Sequence, residues 1–197
     1  MPTGVAIQQV RARLFDAAER VLLRDGPAGL TSRAVTTEAD CAKGVLHRHF
    51  ADFDAFLAEL VADRIERLGG QATALRDAAG TGTVVENVTR ALIELFGPVA
   101  LSIVGLLCYR DELRTRLRRD RPSGVPLLAE ATRMLAGYLA AERERGRVAA
   151  DAEVDTLALM LVGTAHMLFA GELGATPDTE AVREVVAMTL VGVLRER

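Results

Sequence analysis

Apolar positions recur along most of the chain at the spacing of one helical face. From about Ile7 to Asp25 that face holds Val10, Leu14, Ala17, Ala18, Val21 and Leu22. Gly26 stands where a helix-ending glycine belongs, with Pro27 behind it. Residues 1–6 precede the pattern and are expected to fray. Thr31 precedes a helix-compatible run, the position of an N-cap. The spacing predicts a short helix over Ser32–Ala39, a turn at Asp40-Cys41 and a second short helix over Ala42–Phe50. Leu46 and Phe50, four apart, share a face that packs inward with Val35 and Ala39. Lys43, Gly44, Val45, His47, Arg48 and His49 are left on or near the outer side.

The pattern continues beyond Asp52, a further cap, in the stripe Phe53, Phe56, Leu57, Leu60, Val61, Ile65 and Leu68. Gly69-Gly70 ends or bends that helix, or it runs on to Ala79 before the loop Gly80-Thr81-Gly82. Val84–Phe96 is amphipathic and stopped by Gly97-Pro98; Val99–Tyr109 is apolar on all sides and expected to be buried. Pro122-Ser123-Gly124 breaks the chain, and Val125–Arg145 reads as a helix with Gly146 as its cap. Asp151 caps a helix to about Gly171 whose middle, Leu157–Val162, is apolar all round and needs cover on more than one side. Thr176 caps, and Pro177 opens, a last helix bearing Val182, Val185, Val186, Leu190, Val193 and Leu194. The expectation is an all-α chain of about nine helices.

Composition sharpens this picture. The 197 residues permit one or two domains and an ample core. Half are apolar, so the chain is globular; only 4% are aromatic, which favours closely packed helices of Ala, Leu and Val over a sandwich. The net charge of −3 argues against indiscriminate nucleic-acid binding, yet residues 1–53 carry +1 and residues 54–197 carry −4. Lys43, the only lysine, falls on the second short helix. Arg110–Arg121 carries six arginines against three acids, read as a solvated helix face or loop in preference to a nucleic-acid contact. Cys41 and Cys108 have no metal spacing and are expected to be small buried residues in a reducing compartment, with a redox role as the alternative. No signal peptide is evident, and the longest apolar run falls well short of the roughly 20 residues that span a bilayer. A cytoplasmic protein is expected.

The stretch 31–53 carries a resemblance. Gly26, Leu30-Thr31, Val35, Glu38-Ala39, then Ala42-Lys43-Gly44-Val45-Leu46-His47-Arg48-His49-Phe50 and Asp52–Leu57 resemble the DNA-binding region of the TetR family of transcriptional regulators, over about residues 10–60. The chain departs from the family pattern where Asp40 stands for a usual Gly, Ala42 for a capping Ser, His47 for Tyr and Phe53 for a Lys that meets a phosphate. The resemblance implies a helix-turn-helix domain over residues 1–52 and a ligand-binding and dimerisation domain over 53–197. The helix after Asp52 would link them, its tilt setting where the recognition helix lies. It implies double-stranded operator DNA as partner. Thr31, Ser32, Arg33, Lys43, Gly44, Val45, His47, Arg48 and His49 are the candidate DNA contacts: hydroxyls and cations for phosphates and base edges, Val45 for a thymine methyl, Gly44 for close backbone approach.

Candidate ligand contacts are Arg90, Glu94, Tyr109, Met134, Tyr138 and His166, polar or soft side chains that either line a cavity or simply belong to the core or an interface. His47 and His49 project about 200° apart on a helix and cannot share a metal ion. There is no nucleophile elbow, phosphate-cradling glycine loop or metal cluster, so no enzyme and no cofactor is expected. Two apolar C-terminal helices, about 152–171 and 177–196, exceed what one core hides and predict a two-fold homodimer. The expectation is a repressor that binds a palindromic operator and is released by a small, largely apolar effector. The alternatives are a helical ligand-binding or assembly protein with a degenerate DNA module and, with no residue set behind it, an all-α enzyme.

Overall fold

The structure, a computed structural model, describes residues 4–120, 125–171 and 176–195. Ten helices form among the described residues: α1 (Gly4–Gly29), α2 (Ser32–Glu38), α3 (Gly44–His49), α4 (Phe53–Asp77), α5 (Val84–Leu95), α6 (Pro98–Tyr109), α7 (Asp111–Asp120), α8 (Pro126–Glu144), α9 (Val154–Phe169) and α10 (Thr179–Leu190). One isolated antiparallel bridge, Val148 with Leu194, is the sole β pairing among the described residues. No single described helix is long and apolar enough to cross a membrane. Residues 1–3 and the Pro122-Ser123-Gly124 break lie outside the described residues.

Local chemistry sets the helix ends. Gly26 takes φ 69°, a conformation that suits glycine, and breaks α1 where the apolar pattern stops. The Thr31 hydroxyl accepts the Ala34 N–H at 3.1 Å. Thr83 and Glu86 form a reciprocal capping box at α5. Three predicted starts move inward. Ala42 offers no capping oxygen, so α3 begins at Gly44. α9 begins at Val154, three residues after Asp151. The Asp178 carboxylate accepts the Ala181 N–H at 2.8 Å, so Asp178 caps α10 in place of Thr176. Gly69-Gly70 does not end α4, which runs on to Asp77.

The described chain gathers into two compact units, residues 1–64 with 98–125 and residues 65–97 with 126–197. In the first unit α1 packs against α2 and α6. Its core unites Leu14, Ala18 and Leu22 with Val35, Leu46, Phe56 and Leu60. Fully burying one such aliphatic or aromatic side chain is worth about 1.5–3 kcal/mol. Phe15, Phe50 and Phe56 meet with ring centroids 5.0–5.9 Å apart. The arginine-rich run forms the helix α7, anchored by buried Leu113 and Leu117. Its charges turn to nearby acids: Arg110 Nη1 donates to Asp54 at 3.0 Å and Arg116 Nη1 to Asp52 at 2.7 Å.

The structure corrects the expectation that Val99–Tyr109 is buried throughout. α6 buries Ala100, Ile103, Val104, Leu106 and Leu107, but its last turn exposes Cys108 and Tyr109. The two thiols are therefore not a buried pair: Cys41 is half-buried in the helix-turn-helix turn and Cys108 is exposed.

In the second unit α8 packs on α9, and α10 on α5 and α9. The chain end is tied back by Ala149 N–H to Val193 O (2.8 Å) and Arg195 N–H to Arg147 O (2.9 Å). Glu142 is fully buried. It accepts the Tyr138 hydroxyl at 2.7 Å and the Gly80 N–H at 3.2 Å, and it pairs with Arg147 at 3.5 Å. α9 buries Val154, Ala158, Leu161, Val162 and Ala165 on one side only. Leu159 and Met160 on α9 remain 63% and 51% exposed, and Met188 and Val191 at the end of α10 remain 73% and 70% exposed.

Candidate nucleic-acid interface and ligand cavity

The turn between α2 and α3 is made by one residue in the left-handed region. Asp40 has φ 49° and is the sole non-glycine of positive φ among the described residues. Asp reaches that conformation more readily than most side chains, so the usual glycine is not required. Backbone bonds from Asp40 N–H to Thr37 O (3.1 Å) and Cys41 N–H to Thr36 O (3.0 Å) close the turn.

A six-residue helix cannot hold itself together in water, so α3 depends on its surroundings. Leu46 is its one buried side chain, and Phe50, just past its end, is buried in the aromatic cluster. The Arg11 guanidinium lies 4.5 Å from the Phe50 ring, and its Nη1 donates to His49 O at 3.3 Å. Arg13 donates to Ala39 O at 2.8 Å. Arg20 and Arg24 donate to Glu38 at 2.7 and 2.8 Å and hold its carboxyl below the usual range, Arg24 contributing most. Four arginines of α1 thus fasten the ends of α2 and α3 from behind.

The opposite face is open. Thr31, Arg33, Lys43, Gly44, His47 and Arg48 are exposed; Ser32, Val45 and His49 are half-buried. Arg33, Lys43 and Arg48 make no ion pair among the described residues. A Cβ added at Gly44 would meet nothing within 4 Å. At position 53, where the resemblance would set a lysine, Phe53 stacks on Phe56 at 5.7 Å, and the Arg110 guanidinium lies 5.3 Å from its ring. Thr31, Ser32 and Arg33 form the capped start of α2, and the other six lie on α3 or just before it, a short exposed helix with Lys43 at its start and Arg48 near its end. This is the geometry of a helix that enters a DNA major groove.

A cavity of about 290 Å³ lies in the second unit against α4, α5 and α8. Arg90, Glu94 and Met134 line it, as do Gln71, Leu75 and Asn87, which the sequence pattern did not single out. Asn87 carried the one available signal, an amide inside an amphipathic helix where its propensity is poor. Its Nδ2 donates to Tyr138 Oη (3.0 Å) and Thr81 O (2.8 Å), while its Oδ1 accepts Arg90 Nη2 (2.8 Å). Tyr138 lies behind this wall, fully buried. Burial first, then the bond to Glu142, raises its ionisation above the usual tyrosine range. The other candidates lie elsewhere. Tyr109 is exposed at the end of α6 in the first unit. His166 is half-buried beside Phe96, ring centroids 6.1 Å apart, with Nδ1 buried and unbonded. No group of three potential metal ligands occurs among the described residues.

The fold and this exposed helix define a helix-turn-helix DNA-binding protein. Residues 14–60 match the family of bacterial regulatory proteins, tetR family. A TetR-family member from Streptomyces coelicolor A3 is 25% identical, with 92% of this chain and 98% of that chain covered and a TM-score of 0.63. A structure describing the molecular basis for control of antibiotic production by bacterial hormones is 19% identical, covering 95% and 98%, with a TM-score of 0.75. The transcriptional regulator FadR from Bacillus subtilis in complex with stearoyl-CoA is 16% identical, covering 92% and 98%, with a TM-score of 0.68. No curated protein matches the sequence. Residues 14–60 thus carry the DNA-binding region of the tetR family of regulatory proteins, and the chain as a whole shares the fold of TetR-family transcriptional regulators.

Proposed function

We infer that the protein is a ligand-responsive repressor that binds a palindromic operator as a homodimer in the cytoplasm. The observation that carries this reading is the open face of α3 and the start of α2, with Arg33, Lys43 and Arg48 free of ion pairs among the described residues while Arg11 ties the end of α3, and Arg13, Arg20 and Arg24 the end of α2, to α1. Residues 1–52 would act as the DNA-binding module and 53–197 as the ligand-binding and dimerisation region. Leu159, Met160, Met188 and Val191 form an apolar surface that a second copy of α9 and α10 would cover. Two recognition helices would then read half-sites about 34–36 Å apart or a little more. Effector binding favours whichever dimer form binds it better, and release follows only when that form fits the operator worse. The complex of the FadR relative with stearoyl-CoA supports a small-molecule signal in this fold.

A second reading is a helical ligand-binding or assembly protein whose DNA module has degenerated. It is favoured by Phe53, which turns its ring onto Phe56 and offers no charge to a phosphate. Selection from a randomised DNA pool, followed by affinity measurement at physiological salt, separates the two. The regulator reading expects a palindrome preferred by about 10³-fold or more over scrambled DNA. Weak, equal and steeply salt-dependent binding to both DNAs overturns it.

A further inference from the structure

We propose that the α4–α5–α8 cavity takes a small dipolar compound, one with an anionic group and a separate cationic group, anchored by Arg90 and Glu94. The proposal rests on the ligand-responsive reading and names the chemistry of its signal. It replaces the expectation of a largely apolar effector: the cavity lies against α4, α5 and α8 and has charged walls.

Arg90 and Glu94 stand four residues apart on α5 and both line the cavity. Opposite charges at this spacing can pair with each other, although a base preceding an acid is the weaker order. Here the Arg90 guanidinium turns to Asn87 Oδ1 at 2.8 Å, and Glu94 makes no hydrogen bond or ion pair among the described residues. The cavity thus presents one cation and one anion, each with bonding capacity to spare, above a floor of buried Leu75, Ala91 and Met134. Both side chains are exposed to solvent, and an apolar guest that covered them would displace water without replacing its hydrogen bonds. A guest with its own separated charges replaces that water, a carboxylate on Arg90 and an ammonium on Glu94. The volume, about 290 Å³, lies at the lower end for ligand pockets, which suits a compact molecule.

Asn87 connects the guest to the interior. A ligand that draws Arg90 away leaves the Asn87 carbonyl unpaired in a site only 4% exposed. The same amide holds Tyr138 and the Thr81 carbonyl, and Tyr138 holds Glu142, which binds Gly80 and Arg147. Occupation of the cavity is therefore felt at the α4–α5 loop and at the tie between Arg147 and the chain end.

The test is calorimetric titration of the full chain with four probes sharing a five-carbon chain: 5-aminopentanoate, pentanoate, pentylammonium and 1-pentanol. Residues four apart on a helix have Cβ atoms about 5–6 Å apart, comparable to the charge separation of the first probe. Saturable binding of 5-aminopentanoate about tenfold tighter than the other three is expected. Arg90→Gln and Glu94→Gln, each checked for an intact fold by circular dichroism, should each weaken it about tenfold or more. Pentanoate should respond to Arg90→Gln alone. The proposal is overturned if 1-pentanol binds as well as 5-aminopentanoate or if neither substitution matters. Absence of saturable 5-aminopentanoate binding up to about 10 mM also overturns it. Operator selection on the same preparation keeps the two readings apart: specific DNA binding without dipolar-ligand binding rejects this proposal alone, and loss of specific DNA binding rejects the regulator reading.

Discussion

Tyr138 donates its hydroxyl proton to Glu142 Oε1 across 2.7 Å, and neither side chain reaches solvent. The carboxylate also holds the Gly80 N–H and Arg147, so its removal leaves the Tyr138 hydroxyl and the Gly80 N–H without their acceptor and Arg147 without its counter-charge. Glu142→Ala should lower unfolding stability by about 3–5 kcal/mol. Urea denaturation followed by circular dichroism measures this; a loss no larger than that of a surface alanine variant would mean that water replaces the carboxylate.

The same pair makes stability depend on alkaline pH. Burial raises the Tyr138 ionisation above its value in the unfolded chain, about 10. The stabilisation from the neutral phenol is complete below that value and is lost as pH rises from there toward the higher folded value, because only the unfolded chain ionises. The stability gap between the wild type and Tyr138→Phe should be constant between pH 7 and about 9.5 and narrow above it. Denaturation midpoints across that range provide the check.

Asp40 tests the turn ahead of the recognition helix. Its φ of 49° is tolerable for Asp and poor for a β-branched residue. Asp40→Val should destabilise the fold by about 1–2 kcal/mol, while Asp40→Gly should carry no such penalty. Thermal melting of the two variants side by side is sufficient, and equal melting temperatures would show the turn to be indifferent to its conformation.

The exposed surface of α9 and α10 predicts self-association that charge should prevent. Met188→Arg and Leu159→Arg, at positions 73% and 63% exposed, should leave the monomer fold intact and shift sedimentation toward the single chain. A wild type that is already monomeric at micromolar concentration would remove the basis for a paired operator.

Arg33 and Lys43 predict the salt dependence of DNA binding. On a selected site, Arg33→Ala and Lys43→Ala should each weaken binding and reduce the slope of log affinity against log salt by about 1 if each meets a phosphate. A loss confined to certain base positions, with the slope unchanged, would move that residue from the backbone to a base edge.

The helix-turn-helix was legible because its determinants are local. Thr31 caps within three residues, Asp40 needs only its own φ, and Leu46 and Phe50 recur at one turn. α7 was obscured because Leu113 and Leu117 are few apolar anchors in an arginine-rich run. The gathering of α6 and α7 with the N-terminal helices could not be read either, since it joins segments more than thirty residues apart. The cavity was legible in part. Arg90, Glu94 and Met134 stood out as polar or soft side chains on amphipathic helices. Gln71 and Leu75 join them only through the packing of α4, which no local pattern encodes.

Leu46 is the one residue of α3 that the interior requires. Arg13, Arg20 and Arg24 hold the end of α2 before it, while Arg11 and an aromatic cluster fix the end of this helix from outside its own surface. Its exposed positions can therefore change at little cost, within about 0.5 kcal/mol for surface substitutions of this kind. What the helix touches can thus be re-specified by substitution while the frame behind it is left as it is.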